Sequence, residues 1–144
     1  MYSLALGTVV AVSAIAQSPT VDDAHAFFKD LIALRTTIVM TAKWNENRLA
    51  SYGGQGCSST LVNESEAVTR AVQWAQVTSV SGADPSSGTY VTIVGPITWY
   101  KPESSDSGIL PKLVLKLPDD VTAHRVKNAA TLLMNSCAAK SKFD

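Results

Sequence analysis

The chain has 144 residues, of which 46% are hydrophobic and 17% are charged, and its twelve acidic side chains balance its twelve basic ones. This length suits one domain with its own core and is too short for two comfortable ones. Because nucleic-acid-binding proteins usually carry a strongly basic face, the balanced charge argues against a nucleic-acid partner.

The first residues have the composition of a secretory signal peptide. Leu4–Ala16 is apolar and free of charge, and Ala14 and Ala16 are the small residues expected before a cleavage site. The run is shorter than the about 20 apolar residues of a transmembrane helix, although it lacks the usual Lys or Arg at its start. We therefore expect residues 1–16 to be removed, with an earlier cleavage or a buried apolar element of the fold as alternatives. Residues 17–144 would then form a single domain that is secreted or periplasmic and has no transmembrane segment.

The segment Thr20–Leu34 is predicted to be a helix. Thr20 and Asp23 have the spacing of a capping box, in which each side chain bonds the other residue's backbone N–H. The apolar residues that follow recur at helical spacing and form one stripe: Ala24, Phe27, Phe28 and Leu31. The next segment, Arg35–Trp44, has apolar or β-branched residues at every second position, which predicts a strand.

Asn45–Ser59 is rich in Asn and Gly and is predicted to be irregular. A Gly-rich run binds phosphate where a strand precedes it and a Lys and a helix follow it. Here Cys57 and a β-favouring sequence follow Gly53–Gly56. We therefore interpret the run as a flexible turn that leads into a strand.

Further segments are predicted to be strands, separated by polar turns. They are Ser58–Val62, Val68–Val80 with a bulge near Ala75 and Gln76, Thr89–Val94, Ile97–Tyr100 and Lys112–Leu117. The intervening turns are Asn63–Glu66, Ser81–Gly88, the break at Gly95 and Pro96, and Lys101–Gly108. No crossover helix separates these strands, so the sheet is expected to be mostly antiparallel.

A second helix is predicted after Pro118, with an Asp as its N-cap and a frayed tail at Ala138–Asp144. Its buried stripe is predicted to consist of Val126, Ala130, Leu133 and Cys137. Cys57 and Cys137 are the only cysteines, and in an oxidising compartment such a pair predicts one disulfide. Two free buried thiols are the alternative, whereas the lack of C-x-x-C spacing argues against redox catalysis.

Together these elements predict the α+β class. An N-terminal helix precedes a mostly antiparallel sheet or partly open barrel of five to six strands, and the C-terminal helix packs on it. A disulfide between Cys57 and Cys137 would join that helix to the sheet.

Few residues carry recognisable chemistry. His25 and His124 lie near the starts of the two predicted helices, and neither has a His, Cys or Glu at metal-ligand spacing. With no catalytic motif, metal site or cofactor site, the sequence predicts a non-enzymatic binding or structural module whose partner is an unknown protein or a small amphipathic ligand. The alternative is a small hydrolase-like enzyme with a site assembled from scattered Ser, Asp and His124.

Aromatic and basic residues supply the candidate surface contacts: Trp99, Tyr100, Lys112, Lys116, Arg125 and Lys127. The adjacent residues Trp99 and Tyr100 must face opposite sides of their strand. Asn63-Glu64-Ser65 matches the acceptor motif for N-glycosylation and falls in a predicted turn, where it matters only in a eukaryotic secretory pathway.

Overall fold

A computed structural model describes residues 17–41, 45–65, 68–86 and 88–142 and shows an α+β chain, as predicted. Its elements in order are α1 (Val21–Ala33), β1 (Ile38–Met40), β2 (Glu46–Gln55), β3 (Ser58–Asn63), β4 (Thr69–Gln73), a 3₁₀ turn (Trp74–Gln76), β5 (Ser79–Gly82), β6 (Tyr90–Tyr100), β7 (Ser107–Lys116) and α2 (Asp120–Lys142). The predicted leader, residues 1–16, lies outside the described residues.

The strands form one antiparallel sheet that closes on itself. Its order is β4-β3-β2-β1-β7-β6-β5, and an additional pairing of β4 with β6 closes six of the strands into a barrel-like sheet. The seventh strand, β5, pairs with β6 outside this closed set. The expectation of an antiparallel sheet or barrel between an N-terminal and a C-terminal helix is therefore confirmed, with one strand beyond the five to six expected.

A bulge in β6 separates two sets of strand partners. Val94 pairs with Lys112 and Ile97 pairs with Leu110, so two residues of β6 lie opposite the single residue Pro111 of β7. Before the bulge β6 pairs with β5, and after it with β4. A bulge of this kind bends the strand that carries the extra residue, which allows the end of β6 to reach β4.

Several predicted boundaries are corrected by the structure. The predicted strand Val68–Val80 is two strands, because the 3₁₀ turn at Trp74–Gln76 carries the chain from one half of β6 to the other. The predicted break at Gly95 and Pro96 is the bulge within one continuous strand, β6. The prediction of a frayed tail from Ala138 is also wrong, since α2 continues to Lys142.

The segment between α1 and the disulfide also differs from expectation. Within the predicted strand Arg35–Trp44, the described residues form a strand only at Ile38–Met40. The strand starts later than predicted because Arg35 adopts a left-handed conformation with φ of 60° at the end of α1, and residues 42–44 lie outside the described part. The segment predicted to be irregular forms β2, Glu46–Gln55. The Gly- and Asn-rich sequence of β2 does not favour a strand on its own. Backbone hydrogen bonds to β1 and β3 hold it in this conformation.

The predicted helix caps are confirmed. The Thr20 hydroxyl accepts from the Asp23 N–H at 3.1 Å, and the Thr20 N–H donates to the Asp23 carboxylate at 2.8 Å. At α2 the Asp119 carboxylate accepts from the Thr122 N–H at 2.7 Å, which holds the pKa of Asp119 below its usual value. These bonds satisfy N–H groups that have no partner within the helix.

The helices bury the predicted stripes against the sheet and each other. The fully buried residues of α2 are Ala123, Val126, Ala130, Leu133 and Cys137. On α1 the buried residues are Ala24, His25, Phe28, Leu31 and Ile32. Among the described residues, no helix is long and apolar enough to cross a membrane.

The predicted disulfide is present between Cys57 and Cys137, whose Cα atoms are 5.7 Å apart. It joins the turn between β2 and β3 to the buried face of α2. The two cysteines are 80 residues apart in sequence, so the bond greatly restricts the unfolded chain.

We expect removal of both cysteines (Cys57→Ala with Cys137→Ala) to lower the free energy of unfolding by about 2–5 kcal/mol, because a long loop in the unfolded chain is released. Urea unfolding followed by circular dichroism measures this change. Ser136→Ala, at an exposed position beside Cys137 on α2, is the matched control and should leave stability unchanged. Equal unfolding midpoints for the double variant and the native chain would contradict a structural disulfide.

Candidate functional site

A cavity of about 570 Å³ lies beside β1, β4, β6 and β7. β1 pairs with β7 only through Val114–Lys116, so the described part of β1 leaves the first half of β7 without a strand partner on this side. The cavity is lined by Val39, Met40, Thr41, Val68, Arg70, Trp99, Leu110, Pro111, Lys112, Leu113 and Val114. Its volume falls in the range of about 300–1,000 Å³ that is typical of small-molecule sites.

Most of the wall of this barrel cavity is apolar. Trp99 is the largest side chain in the lining, and it lies across the barrel wall on Gly108, its cross-strand partner. A Cβ at position 108 would stand 2.7 Å from the Trp99 indole nitrogen, so a glycine is needed there for the ring to lie flat against β7. The wall therefore combines an aromatic face with aliphatic side chains.

The charged residues of the lining are Arg70 and Lys112, and none of the described lining residues is acidic. Arg70 is only 6% exposed. It pairs with Trp99 across β4 and β6 and with Leu61 across β3 and β4. Since Arg70 has the same strand parity as the fully buried Val72, its side chain faces the inside of the barrel.

Asn63 accepts a hydrogen bond from Arg70: a guanidinium N–H donates to its Oδ1. Asn63 is 4% exposed, and its Nδ2 has no hydrogen-bond partner among the described residues. The glycosylation motif at this residue is therefore inaccessible in the folded chain. Arg70 and Asn63 were not predicted as site residues; the signal for Arg70 is its alternation with Val72 and Trp74, which places it on the inner face.

The predicted surface contacts lie in several places. Trp99 and Lys112 line the barrel cavity, while Tyr100 is 43% exposed on the opposite side of β6. Lys116 donates to the Glu46 carboxylate at 3.1 Å, and this hydrogen bond raises the pKa of Lys116.

The other two predicted contacts lie on α2. Lys127 is half-buried, and Arg125 stands 4.9 Å from the centre of the Phe27 ring. Arg125 also lines a second cavity of about 380 Å³, the helical groove, formed by Pro19, Asp23, Ala24, Phe27, Arg125, Asn128, Ala129 and Leu132.

A buried polar network lies between α1 and the β2–β3 hairpin. The His25 Nε2 atom is 2.8 Å from the Gly56 carbonyl oxygen, and Nδ1 is 2.7 Å from the Tyr52 hydroxyl. The same hydroxyl is 2.7 Å from the Ser59 hydroxyl, which accepts from the Trp74 indole N–H at 2.8 Å. The His25 side chain is thus buried, with both ring nitrogens in hydrogen bonds.

The donor and acceptor roles in this network follow from the chemistry of its groups. A carbonyl oxygen only accepts, so in the neutral imidazole Nε2 carries the hydrogen and Nδ1 accepts from Tyr52. Tyr52 can donate because burial raises its pKa to about 12, and the Ser59 hydrogen bond offsets part of this rise. Ser59 in turn donates to Tyr52 and accepts from Trp74. Each side-chain donor therefore has an acceptor, and the network fixes α1 on the hairpin.

The four residues of this network include no carboxylate and do not form a set of metal ligands. Across the described part of the chain, no group of three or more His, Cys, Asp or Glu residues could bind a metal ion. His124 is exposed on α2. No described hydrogen bond joins it to a Ser hydroxyl or a carboxylate.

No protein-family model, curated protein or solved structure matches this chain. The functional interpretation therefore depends on the barrel cavity and on the residues around it. Fold alone would not assign a function, since one architecture serves many activities.

We expect Tyr52→Phe to lower the free energy of unfolding by about 1–3 kcal/mol, because it leaves the buried His25 Nδ1 and Ser59 O–H without partners. Urea unfolding at neutral pH measures the loss. Tyr100→Phe removes a hydroxyl from an exposed ring and is the matched control. The network would have no structural role if the two variants were equally stable.

The alkaline titration of Tyr52 gives a separate prediction. Its pKa is about 12 in the folded chain and near 10.0 when unfolded, so the folded chain holds this proton more tightly. The associated stability is complete below pH 10.0 and is lost as the pH rises to about 12. Tyrosinate absorbance should show one late-titrating group that is missing in Tyr52→Phe; identical titrations of the two chains would contradict the burial of this hydroxyl.

Proposed function

We propose that the protein is an exported, non-enzymatic binding module that holds a small amphipathic ligand in the barrel cavity. The observation that carries this proposal is the cavity itself, about 570 Å³ in volume and lined mainly by apolar side chains with few polar groups. Small-molecule sites have this composition, in which apolar walls supply affinity and a few polar groups fix the orientation of the ligand.

The position of the cavity supports a binding role. It lies at the end of the barrel away from the Cys57–Cys137 disulfide and the His25 network, where the described part of β1 pairs with β7 only through Val114–Lys116. Entry of a ligand therefore does not require the helices to separate from the sheet. The rigid strands around the opening present a largely preformed site, which lowers the cost of binding.

Export is supported by the disulfide and by the leader sequence. A disulfide that closes a loop of this length is typical of oxidising compartments such as the cell exterior or the bacterial periplasm. The apolar run Leu4–Ala16 provides the export signal that this location requires.

The geometry favours binding over hydrolysis. The enzyme alternative needs His124 close to a Ser and an Asp, and no described hydrogen bond brings these groups together. The other histidine, His25, is committed to Tyr52 and to the Gly56 carbonyl, so it is not free to act on a substrate.

Filling the cavity tests the proposal. Leu110 is half-buried in the cavity wall, whereas its neighbour Ile109 is 68% exposed and faces the other side of β7. We expect the native chain to bind decanol or decanoate in calorimetric titrations. Leu110→Trp should weaken binding about tenfold or more because the larger ring occupies the space.

The matched control is Ile109→Trp, which adds the same ring to the outer face and should bind as the native chain does. Thermal unfolding of both variants establishes that they are folded. Binding of neither amphiphile by the native chain, or equal binding by both variants, would contradict the proposal.

A further inference from the structure

We propose that the barrel cavity selects a planar aromatic ligand, whose ring stacks on the indole of Trp99. This inference rests on the proposed binding function and names the class of ligand that the cavity takes. It assigns Trp99 as the residue that determines specificity and Gly108 as the residue that positions the indole.

The Trp99 side chain faces the inside of the barrel. It lies two residues after the fully buried Ile97 on β6, so the two side chains are on the same face of the strand. The next residue, Tyr100, is exposed on the other face. Trp99 lines the cavity and is only half-buried. Part of the indole surface is therefore available to a molecule in the cavity.

Gly108 holds the indole against the barrel wall. The two residues are cross-strand partners on β6 and β7. A Cβ at position 108 would stand 2.7 Å from Nε1, 2.9 Å from Cε2 and 3.1 Å from Cζ2 of Trp99. These three atoms are bonded in series, so the ring runs along the backbone of Gly108 instead of projecting away from it. The wall therefore covers one side of the indole, and the uncovered part faces the cavity.

A fixed indole of this kind favours an aromatic ring over a saturated one. Aromatic rings attract each other in offset-stacked or edge-to-face arrangements with centroids about 4.5–7 Å apart, and such pairs contribute more than the burial of their area. A puckered ring or a flexible chain buries area against the indole without this contribution. Because Gly108 already fixes the Trp99 ring, little side-chain freedom is lost when a ligand binds.

The rest of the lining suits the other parts of an amphipathic aromatic molecule. Leu110 and Leu113 add aliphatic side chains to the wall. Met40 also lines the cavity, and a thioether makes favourable contacts with the edge of an aromatic ring. Lys112 is an exposed lining residue of β7. A hydroxyl on the ring would therefore find a hydrogen-bond donor and solvent near Lys112.

Naphthol and decahydronaphthol test this selectivity, because they share one carbon skeleton and one hydroxyl and only naphthol is planar and aromatic. Both are neutral at pH 7, since a phenol ionises at a pH of about 10. The saturated compound has at least as much apolar surface, so burial alone would not favour naphthol. We expect the native chain to bind naphthol about three- to tenfold more tightly in titration calorimetry. Proton NMR should show upfield shifts of the naphthol ring protons, as stacking on an indole produces.

Three variants test the role of Trp99. Trp99→Leu should abolish the preference for naphthol while binding of decahydronaphthol is retained, because an apolar side chain remains without an aromatic face. Tyr100→Leu removes an aromatic ring from the next position on the outer face, and this matched control should keep the preference. Trp99→Phe should keep only part of it, and this conservative variant provides the test if Trp99→Leu does not fold.

The positioning role of Gly108 has its own test. Gly108→Ala adds one methyl group that must displace the indole, so most of the preference should be lost although Trp99 is still present. Combining Gly108→Ala with Trp99→Phe removes the indole atoms that meet this methyl group, and the preference should return to that of Trp99→Phe alone. A general loss of stability would weaken the binding of both compounds and would not be relieved by a smaller ring.

Equal binding of naphthol and decahydronaphthol by the native chain would overturn the aromatic selectivity and leave the proposed binding function intact. A preference that is unchanged in Trp99→Leu or in Trp99→Phe, or that is also lost in Tyr100→Leu, would overturn the assignment to Trp99. An unchanged preference in Gly108→Ala would overturn the positioning role. If the native chain binds neither compound and neither decanol nor decanoate, the proposed function itself fails.

Discussion

Closure of the barrel depends on the bulge in β6. Without the extra residue between Val94 and Ile97, β6 would continue straight along β5 and would not reach β4. Gly95 allows the close approach of the chain at this point, since a Cβ there would lie 2.9 Å from the Gln76 carbonyl oxygen. Pro96 and Pro111 both lie at the bulge, between the pairs Val94–Lys112 and Ile97–Leu110, where a missing N–H breaks no regular ladder. The pairing of Arg70 with Trp99, and with it the cavity wall, exists only because β6 turns here.

The two ends of the barrel are built differently. At one end the disulfide, the helices and the network around His25 and Tyr52 satisfy the polar groups and fill the interior. At the other end the described part of β1 does not pair with the first half of β7, Pro111 cannot donate a hydrogen bond to a neighbouring strand, and a cavity remains. Cavities and unpartnered polar groups lower the stability of a fold. At the first end, the disulfide offsets part of this loss because it restricts the unfolded chain.

Local signals in the sequence predict the helices, the caps and the disulfide, because each depends on residues a few positions apart or on a single cysteine pair. They fail for β2, whose strand conformation comes from its neighbours rather than from its own Gly- and Asn-rich sequence. They also fail at Trp74–Gln76, where a change of apolar phase fits a bulge as well as a 3₁₀ turn. Of the candidate contacts, Trp99 and Lys112 line the cavity. Arg70 was not predicted as a cavity residue, because a charged residue in a strand is ordinarily assigned to the solvent-facing side. The closed sheet shows that the Arg70 side chain lies on the interior face.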